Sequence, residues 1–222
     1  MSAPAYTGDV EVGGQAAVRE LPGLTISKLA VSEMANNAYL LRCAATGEAL
    51  LVDAAAEPAA LRALIGDADL RTVVTTHGHW DHHRALPEVV EATGAVTVAH
   101  PADAADLPVP VQRPVEHGDT VTVGEQRLEV VHLRGHTPGS IALVWRGPGD
   151  AGVHVFTGDS LFPGGVGNTQ QDAARFTSLI DDVEERLFAT LPDETWVYPG
   201  HGGDTTLGAE RPHLGEWRAR GW

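Results

Sequence analysis

The feature that most constrains this chain is a cluster of four potential metal ligands within six residues, His77-Gly78-His79-Trp80-Asp81-His82. The residues just before it, 70–75, are largely β-branched, which is typical of a buried strand. The residues just after it place apolar side chains at 86, 89 and 90, which is helical spacing. The pattern therefore predicts that the cluster lies at a strand-to-helix junction, with its ligands gathered in one loop.

The spacing within this cluster predicts two metal ions. In an extended segment, side chains two residues apart project to the same face, so His77 and His79 can converge on one ion without backbone strain. Asp81 and His82 follow as the chain turns into the helix and are offset from the first pair. They are therefore expected to reach a second ion a few ångströms away.

Three further segments place an imidazole or a carboxylate in a glycine-containing loop. His136 lies in Gly135–Ser140, Asp159 in Thr157–Phe162 and His201 in 198–202. Each segment follows a predicted strand, and glycine allows a sharp turn after it. The predicted strands are Leu128–Leu133, Val153–Phe156 and Thr195–Tyr198. These loops are expected to point into one crevice with the first cluster.

The ordered set His-x-His-x-Asp-His, then His, Asp and His, resembles the metallo-β-lactamase-fold superfamily, in particular its compact glyoxalase II-like hydrolases and related persulfide dioxygenases. The resemblance covers residues 24–208 and implies an α/β fold, an αββα four-layer sandwich. It also implies two metal sites and a bridging carboxylate. One site would comprise His77, His79 and His136, the other Asp81, His82 and His201, and Asp159 would bridge them.

Five imidazoles and two carboxylates form a donor set that suits two divalent ions, with zinc expected first and iron or manganese as alternatives. Two cations sharing a water would lower its pKa enough to supply hydroxide near neutral pH. They would also polarise a substrate carbonyl, so a protein nucleophile is not required. The single cysteine, Cys43, lies in an apolar stretch and is expected to be buried core.

Composition narrows the function classes. At 222 residues with 43% hydrophobic content, the chain is expected to form one domain spanning residues 1–222. Its formal charge is −15 and Lys28 is the only lysine, which argues against nucleic-acid partners. Met1–Gly14 lacks the pattern of a signal peptide, and no apolar run approaches the length of a membrane span. The protein is therefore expected to be cytoplasmic, with no membrane partner.

The remaining pattern predicts strands separated by amphipathic helices, which implies helices on the outer faces of two packed sheets. The stretch Pro101–Pro114 is interpreted as a loop that borders the active-site mouth. One apolar face predicts a long helix across Asp172–Leu191. Further elements are predicted as strands at Ala17–Leu21, Leu24–Val31, Ala38–Arg42, Ala49–Asp53 and Ala95–His100, short β runs and turns within Val109–Leu133, and a helix at Pro58–Ile65.

Two departures from the family pattern concern the substrate. Thiol-ester members often carry a Gly-x-Gly-Arg segment after the aspartate loop, whereas this chain has Asn168 at the arginine position. An amide does not replace a fixed positive charge. Larger glyoxalase II enzymes also append a basic helical region for glutathione, and this chain stops at Trp222. The expected enzyme is therefore similar to a hydroxyacylglutathione hydrolase or is a related thioesterase or esterase, with a different small thiol, or an ester without a thiol, as the alternative to glutathione. The tail Glu210–Trp222 is interpreted as a cap on the pocket or as a subunit interface in a homodimer.

The leading hypothesis is a binuclear metal-dependent hydrolase that cleaves a small ester or thioester, with Asp81 and Asp159 positioning the attacking hydroxide. An alternative is a mononuclear iron persulfide dioxygenase with His77, His136 and Asp159 as its facial triad. A third is a non-catalytic metal-binding or electron-transfer module like the di-iron core of flavodiiron proteins. That branch typically has a glutamate where this chain has His79.

Overall fold

Two large β-sheets pack face to face, and helices cover the outer face of each. The structure is a computed structural model that describes residues 6–221. The layers run helix, sheet, sheet, helix. This arrangement confirms the predicted αββα sandwich.

The first sheet has seven strands that follow one another in chain order. Its first four strands are antiparallel neighbours, and the last four are joined by parallel pairings. Parallel pairing requires crossover connections, which two helices supply, α1 (Pro58–Ile65) and α2 (Leu86–Thr93). The strands are β1 (Ala17–Leu21), β2 (Leu24–Val31), β3 (Asn36–Cys43), β4 (Glu48–Val52), β5 (Asp69–Val74), β6 (Val96–Ala99) and β7 (Arg113–Pro114).

The second sheet has six strands, and a separate two-stranded hairpin, β12 (Leu161–Phe162) with β13 (Gly165–Val166), lies beside it. Its order is β15-β14-β11-β10-β9-β8, for the strands β8 (Thr120–Val123), β9 (Gln126–His132), β10 (Ile141–Arg146), β11 (Val153–Gly158), β14 (Trp196–Pro199) and β15 (Thr205–Thr206). The helices that follow are α3 (Ala173–Val183), α4 (Leu207–Glu210) and α5 (Leu214–Arg220).

Three apolar clusters hold the layers together. The first lies between the sheets and includes Leu50 and Phe156. The second joins the first sheet to α1 and α2, and the third joins the second sheet to α3 and α5. β10 is central to this arrangement, because its side chains alternate between the first and third clusters.

The structure confirms β1, β2 and α1 at the predicted bounds and shifts the ends of several other strands by one or two residues. β10 was not predicted. The stretch Pro101–Pro114 is not wholly a loop, because it contains a short 3-10 helix, Pro101–Asp106, and β7. The predicted helix Asp172–Leu191 is divided into α3 and a wider π turn, Glu184–Phe188, which keeps both Leu187 and Phe188 buried.

The structure also places the tail. Trp217 is 1% exposed and packs in the third apolar cluster, beside Phe188, so its burial is explained within the chain. Trp222 lies outside the described residues. Cys43 is buried between the sheets, as predicted. Within residues 6–221, the helices are all too short or too polar to cross a bilayer.

Candidate metal centre

Loops from both sheets meet at one edge of the sandwich and bring all seven predicted ligands together. The loop after β5 carries four of them and passes through a 3-10 turn, Trp80–His82. The loop between β9 and β10 carries His136, and the loops after β11 and β14 carry Asp159 and His201. The site is therefore built from strand ends of two different sheets.

The donor atoms fall into compact groups within which they lie no more than 4.8 Å apart. One group is His77, His79 and His136, and a second is Asp81, His82 and His201. A third group, His77, His82 and Asp159, spans the other two. The division into two neighbouring groups is the one implied by the sequence resemblance.

Asp159 lies between the two groups. Its Oδ2 is 3.6 Å from Nε2 of His136 and 3.5 Å from Nε2 of His201. Its Oδ1 is 3.4 Å from Nε2 of His82. One carboxylate thus faces imidazoles of both groups, which is the placement that a bridging ligand requires.

Outer hydrogen bonds orient the imidazoles. Nδ1 of His136 donates to the carbonyl oxygen of Asn168 at 2.8 Å, and Nδ1 of His201 donates to that of Met34 at 2.9 Å. Nδ1 of His82 lies 2.8 Å from Oδ2 of Asp53. The carbonyl partners of His136 and His201 accept but do not donate, so those two contacts assign a proton to Nδ1 and leave Nε2 as the inward-facing lone pair when the ring is neutral.

Two polar residues that shape this centre, Asp53 and Asn36, were not singled out in the sequence. Asp53 accepts from the backbone N–H of Thr76 at 2.7 Å and from its hydroxyl at 2.8 Å, besides its contact with His82. The amide of Asn36 donates to Oδ2 of Asp81 at 2.8 Å. Asp53 follows β4, which neighbours β5 in parallel, so a carboxylate at this strand end was the available signal.

The backbone of Asp53 adopts a left-handed conformation, with φ at +57°. Such values are uncommon for residues other than glycine, although aspartate tolerates them better than most. Uncommon backbone conformations of this kind concentrate at functional sites. The turn places the buried carboxylate directly beneath the ligand loop.

Two imidazoles of the first group, those of His77 and His136, favour the neutral form. Burial, together with the neighbouring imidazoles, holds the pKa of His77 well below its ordinary value. Burial also lowers the pKa of His136, and the nearby charge of Asp159 offsets this only in part. Neutral imidazoles are the form that binds a metal ion.

In the second group, the histidines form ion pairs with neighbouring carboxylates. Burial lowers the pKa of His82, but the adjacent carboxylates of Asp159 and Asp53 outweigh it and raise that pKa to about 10. Asp81 raises the pKa of His201 in the same way against the effect of burial. Burial raises the pKa of Asp159, yet the neighbouring histidines lower it overall. A cation entering this group would displace protons and take their place between the carboxylates.

Three buried donor atoms without hydrogen-bond partners indicate that the site suits metal ions. Nε2 of His77, Nε2 of His136 and Oδ1 of Asp159 are buried and make no hydrogen bond within the described part of the chain. Buried polar atoms of this kind are rare, because leaving them unpaired is unfavourable. All three face the interior of the cluster, so the donor set is suited to binding cations.

A cavity of about 670 Å³ lies beside this centre and is lined by Val166, Asn168, Gln171 and Gly221. Asn168 connects the cavity with the metal centre. Its carbonyl oxygen accepts a hydrogen bond from His136, and its side chain is exposed. The cavity is within the range of small-molecule sites. From the tail, Gly221 contributes to the cavity wall, and whether the tail acts as a cap or as a subunit interface stays a prediction.

The family model of the metallo-beta-lactamase superfamily matches residues 31–201, which include every candidate ligand. The chain belongs to this superfamily. A relative from Fuscovulum blasticum, named hydroxyacylglutathione hydrolase, is 38% identical over 169 residues. The alignment covers 75% of this chain and 62% of that relative. The chain thus spans less than two thirds of the length of this curated superfamily member.

Solved structures share the fold, and their sequence identity to this chain is similar to that of the curated relative. ETHE1 from Myxococcus xanthus is 32% identical with a TM-score of 0.75, over 87% of this chain and 84% of that one. TTHA1623, crystallised in a di-iron-bound form, is 34% identical with a TM-score of 0.67, over 83% of this chain and 96% of that one. The two proteins thus share the fold of this chain, and one of them, TTHA1623, binds two iron ions in its crystal structure.

Proposed function

We propose that this protein is a binuclear metal-dependent hydrolase that cleaves a small ester or thioester. The observation that carries the proposal is the pairing of two donor groups around one carboxylate. In this proposal His77, His79 and His136 hold one ion, and Asp81, His82 and His201 hold the other. Asp159, which faces both groups, bridges them.

The donor chemistry supports divalent ions of intermediate softness, with zinc proposed first. Iron and manganese accept the same imidazole and carboxylate donors. The di-iron form of TTHA1623 makes iron the principal competitor for this site. Metal content measured on the purified protein decides between them.

When bound, two such cations supply an acidified water and polarise the carbonyl of the substrate. We assign Asp81 and Asp159 to orient that water. The amide of Asn36 holds Asp81 in place, and the histidines around Asp159 keep its carboxylate ionised. Asp53 fixes the ring of His82 from behind. These contacts preorganise the site before substrate arrives.

The relative from Fuscovulum blasticum supports a thioester as substrate, since its name describes hydrolysis of a hydroxyacylglutathione. The chain departs from the thiol-ester pattern at Asn168, whose exposed amide lines the cavity where the resemblance implies arginine. We therefore propose that glutathione is not the preferred thiol. Thioesters of smaller thiols, or simple esters, are expected to be cleaved faster.

The test begins with protein purified without added metal. We expect about two metal equivalents per chain by mass spectrometry, and hydrolysis on a panel of glutathione thioesters, other thioesters and esters. Asp159→Ala should lose metal at both sites and lose activity. Asp106→Ala, which removes an exposed carboxylate from the nearby 3-10 helix, serves as the control.

Full activity of Asp159→Ala would refute the proposal. One equivalent of iron, with oxygen uptake on thiol persulfides and no hydrolysis, would identify the persulfide dioxygenase instead. Bound metal with neither activity would favour the non-catalytic module.

A further inference from the structure

Asp103 is a buried carboxylate next to the metal centre that takes no part in its donor groups. It lies in the 3-10 helix Pro101–Asp106, between β6 and β7. Its neighbours Ala102 and Ala104 are more exposed, whereas Asp103 itself is 1% exposed. An acidic side chain is rarely buried to this extent without specific partners.

The partners of Asp103 come from two ligand loops. Its Oδ2 accepts from the backbone N–H of Gly78 at 2.8 Å and from the hydroxyl of Thr137 at 2.5 Å. Its Oδ1 accepts from the backbone N–H of Gly139 at 2.6 Å. Gly78 separates His77 from His79, and Thr137 follows His136. One carboxylate therefore ties together the loops that carry all three histidines of the first group.

Glycine at the two approach positions, Gly139 and Gly78, leaves room for this contact, and the requirement is strict at Gly139. A Cβ at Gly139 would lie 2.7 Å from Cγ and Oδ1 of Asp103, closer than real Cβ contacts. A Cβ at Gly78 would lie 3.0 Å from Oδ2 of Asp106 and 3.2 Å from Cβ of Asp103. The sequence around the histidines thus accommodates the 3-10 helix as well as the ligands.

The hydrogen bonds to Asp103 are short, and one of their donors, Thr137, is itself held by further hydrogen bonds. Hydrogen bonds to an ionised carboxylate are shorter and stronger than those between neutral groups. Thr137 is itself fixed, since its hydroxyl lies 2.6 Å from that of Ser140 and its N–H donates to the same hydroxyl at 3.1 Å. Thr137, in the loop of His136, is therefore fixed by Asp103 and by Ser140.

We propose that Asp103 is a positioning residue for the metal site formed by His77, His79 and His136. It sets the distance between two loops that belong to different sheets, and so presents the three imidazoles in binding geometry. This inference rests on the metal centre of the proposed function. Because Asp103 makes no contact with the second donor group, its removal should weaken one site and spare the other.

The experiment measures Co²⁺ binding to metal-free protein by absorption titration. His201→Ala is used as a background that leaves the first site, and His136→Ala as one that leaves the second. In the first background, Asp103→Asn should lower Co²⁺ affinity about 10- to 100-fold, the range found for outer partners of metal ligands. In the second background, the same substitution should change affinity less than about twofold.

Asp106→Asn is the matched control, because it makes the same change of charge in the same 3-10 helix at an exposed position. Circular dichroism of each metal-free variant checks that the fold is kept. Thr137→Val tests the contact without changing Asp103, and it should weaken the first site in the same direction by a smaller factor. Combining it with Asp103→Asn should give less than the product of the two single effects.

Equal affinities for Asp103→Asn and Asp106→Asn in the first background would overturn the inference. Equal losses at both sites would overturn it too, since they would indicate a general structural role. A wild-type protein that takes up no Co²⁺ would instead refute the metal centre itself, a result separate from any variant.

Discussion

The buried imidazole of His154 should make the fold sensitive to mild acid. His154 lies on β11, the strand that leads into Asp159, and is 1% exposed. Its Nε2 donates to the carbonyl of Ala151 at 2.9 Å, and its Nδ1 lies 3.0 Å from the hydroxyl of Tyr198. That hydroxyl already accepts from Arg19. A proton on Nδ1 would therefore enter a buried site that already contains a cation.

Burial accordingly lowers the pKa of His154 from 6.5 to about 4, and the charge of Arg19 acts in the same direction. Between these values the unfolded chain binds more protons than the folded one, so stability is lost as pH falls. Linkage then predicts a loss of about 2 kcal/mol between pH 7 and pH 5, approaching about 3 kcal/mol at pH 4.

The assay is urea denaturation of metal-free protein at pH 7, 6 and 5, for wild type and His154→Gln. Glutamine can keep both hydrogen bonds but does not titrate. The difference in unfolding free energy between the two proteins should change by about 2 kcal/mol across this range. His213→Gln, at an exposed position, is the control. Parallel pH profiles for wild type and His154→Gln would refute the reasoning.

Three further predictions follow from the site and the core. Asp53→Asn removes the carboxylate behind His82 and should lower metal affinity at the second donor group about 10- to 100-fold, measured by Co²⁺ titration in the His136→Ala background. Chelation should lower the melting temperature by about 10–20 °C relative to protein with free metal at about 100 times the Kd of both proposed sites, and zinc should restore it in calorimetry. Trp217→Ala empties a fully buried position and should destabilise the fold by about 3–5 kcal/mol in urea denaturation.

The sequence predicted the ligand loops well because the relevant signals are local. Each candidate ligand lies in a loop that follows a strand and contains glycine, so residue type and spacing were enough to place it at a strand end. The resemblance then supplied the grouping, and the structure brings the same groups together. Ligation itself remains a prediction for the metal titrations to test.

The residues that support the ligands were missed because their partners are distant in sequence. Asp53 contacts His82, 29 residues away, and Asp103 contacts Thr137, 34 residues away. Either carboxylate could equally have been a surface residue in a loop. Only the parallel arrangement of β4, β5 and β6 brings them under the same site.

β10 was missed for a different physical reason. It is buried on both faces, against the first apolar cluster through Leu143 and against the third through Val144. A strand in this position has no polar face, so its sequence lacks the alternation that marks a half-exposed strand. The π turn after α3 was missed because a helical pattern does not distinguish a turn widened by one residue.

The division of ligands between the sheets connects the metal centre with folding. Four ligands follow the first sheet, and His136, Asp159 and His201 follow the second, so neither sheet alone contains a complete donor group. The contacts that hold His201 also cross between the sheets. Asn37 donates to the carbonyls of Pro199 and Gly202, and the buried ammonium of Lys28 donates to Gly202 at 2.8 Å. The site therefore forms only when the two sheets dock, and metal binding should stabilise that docking.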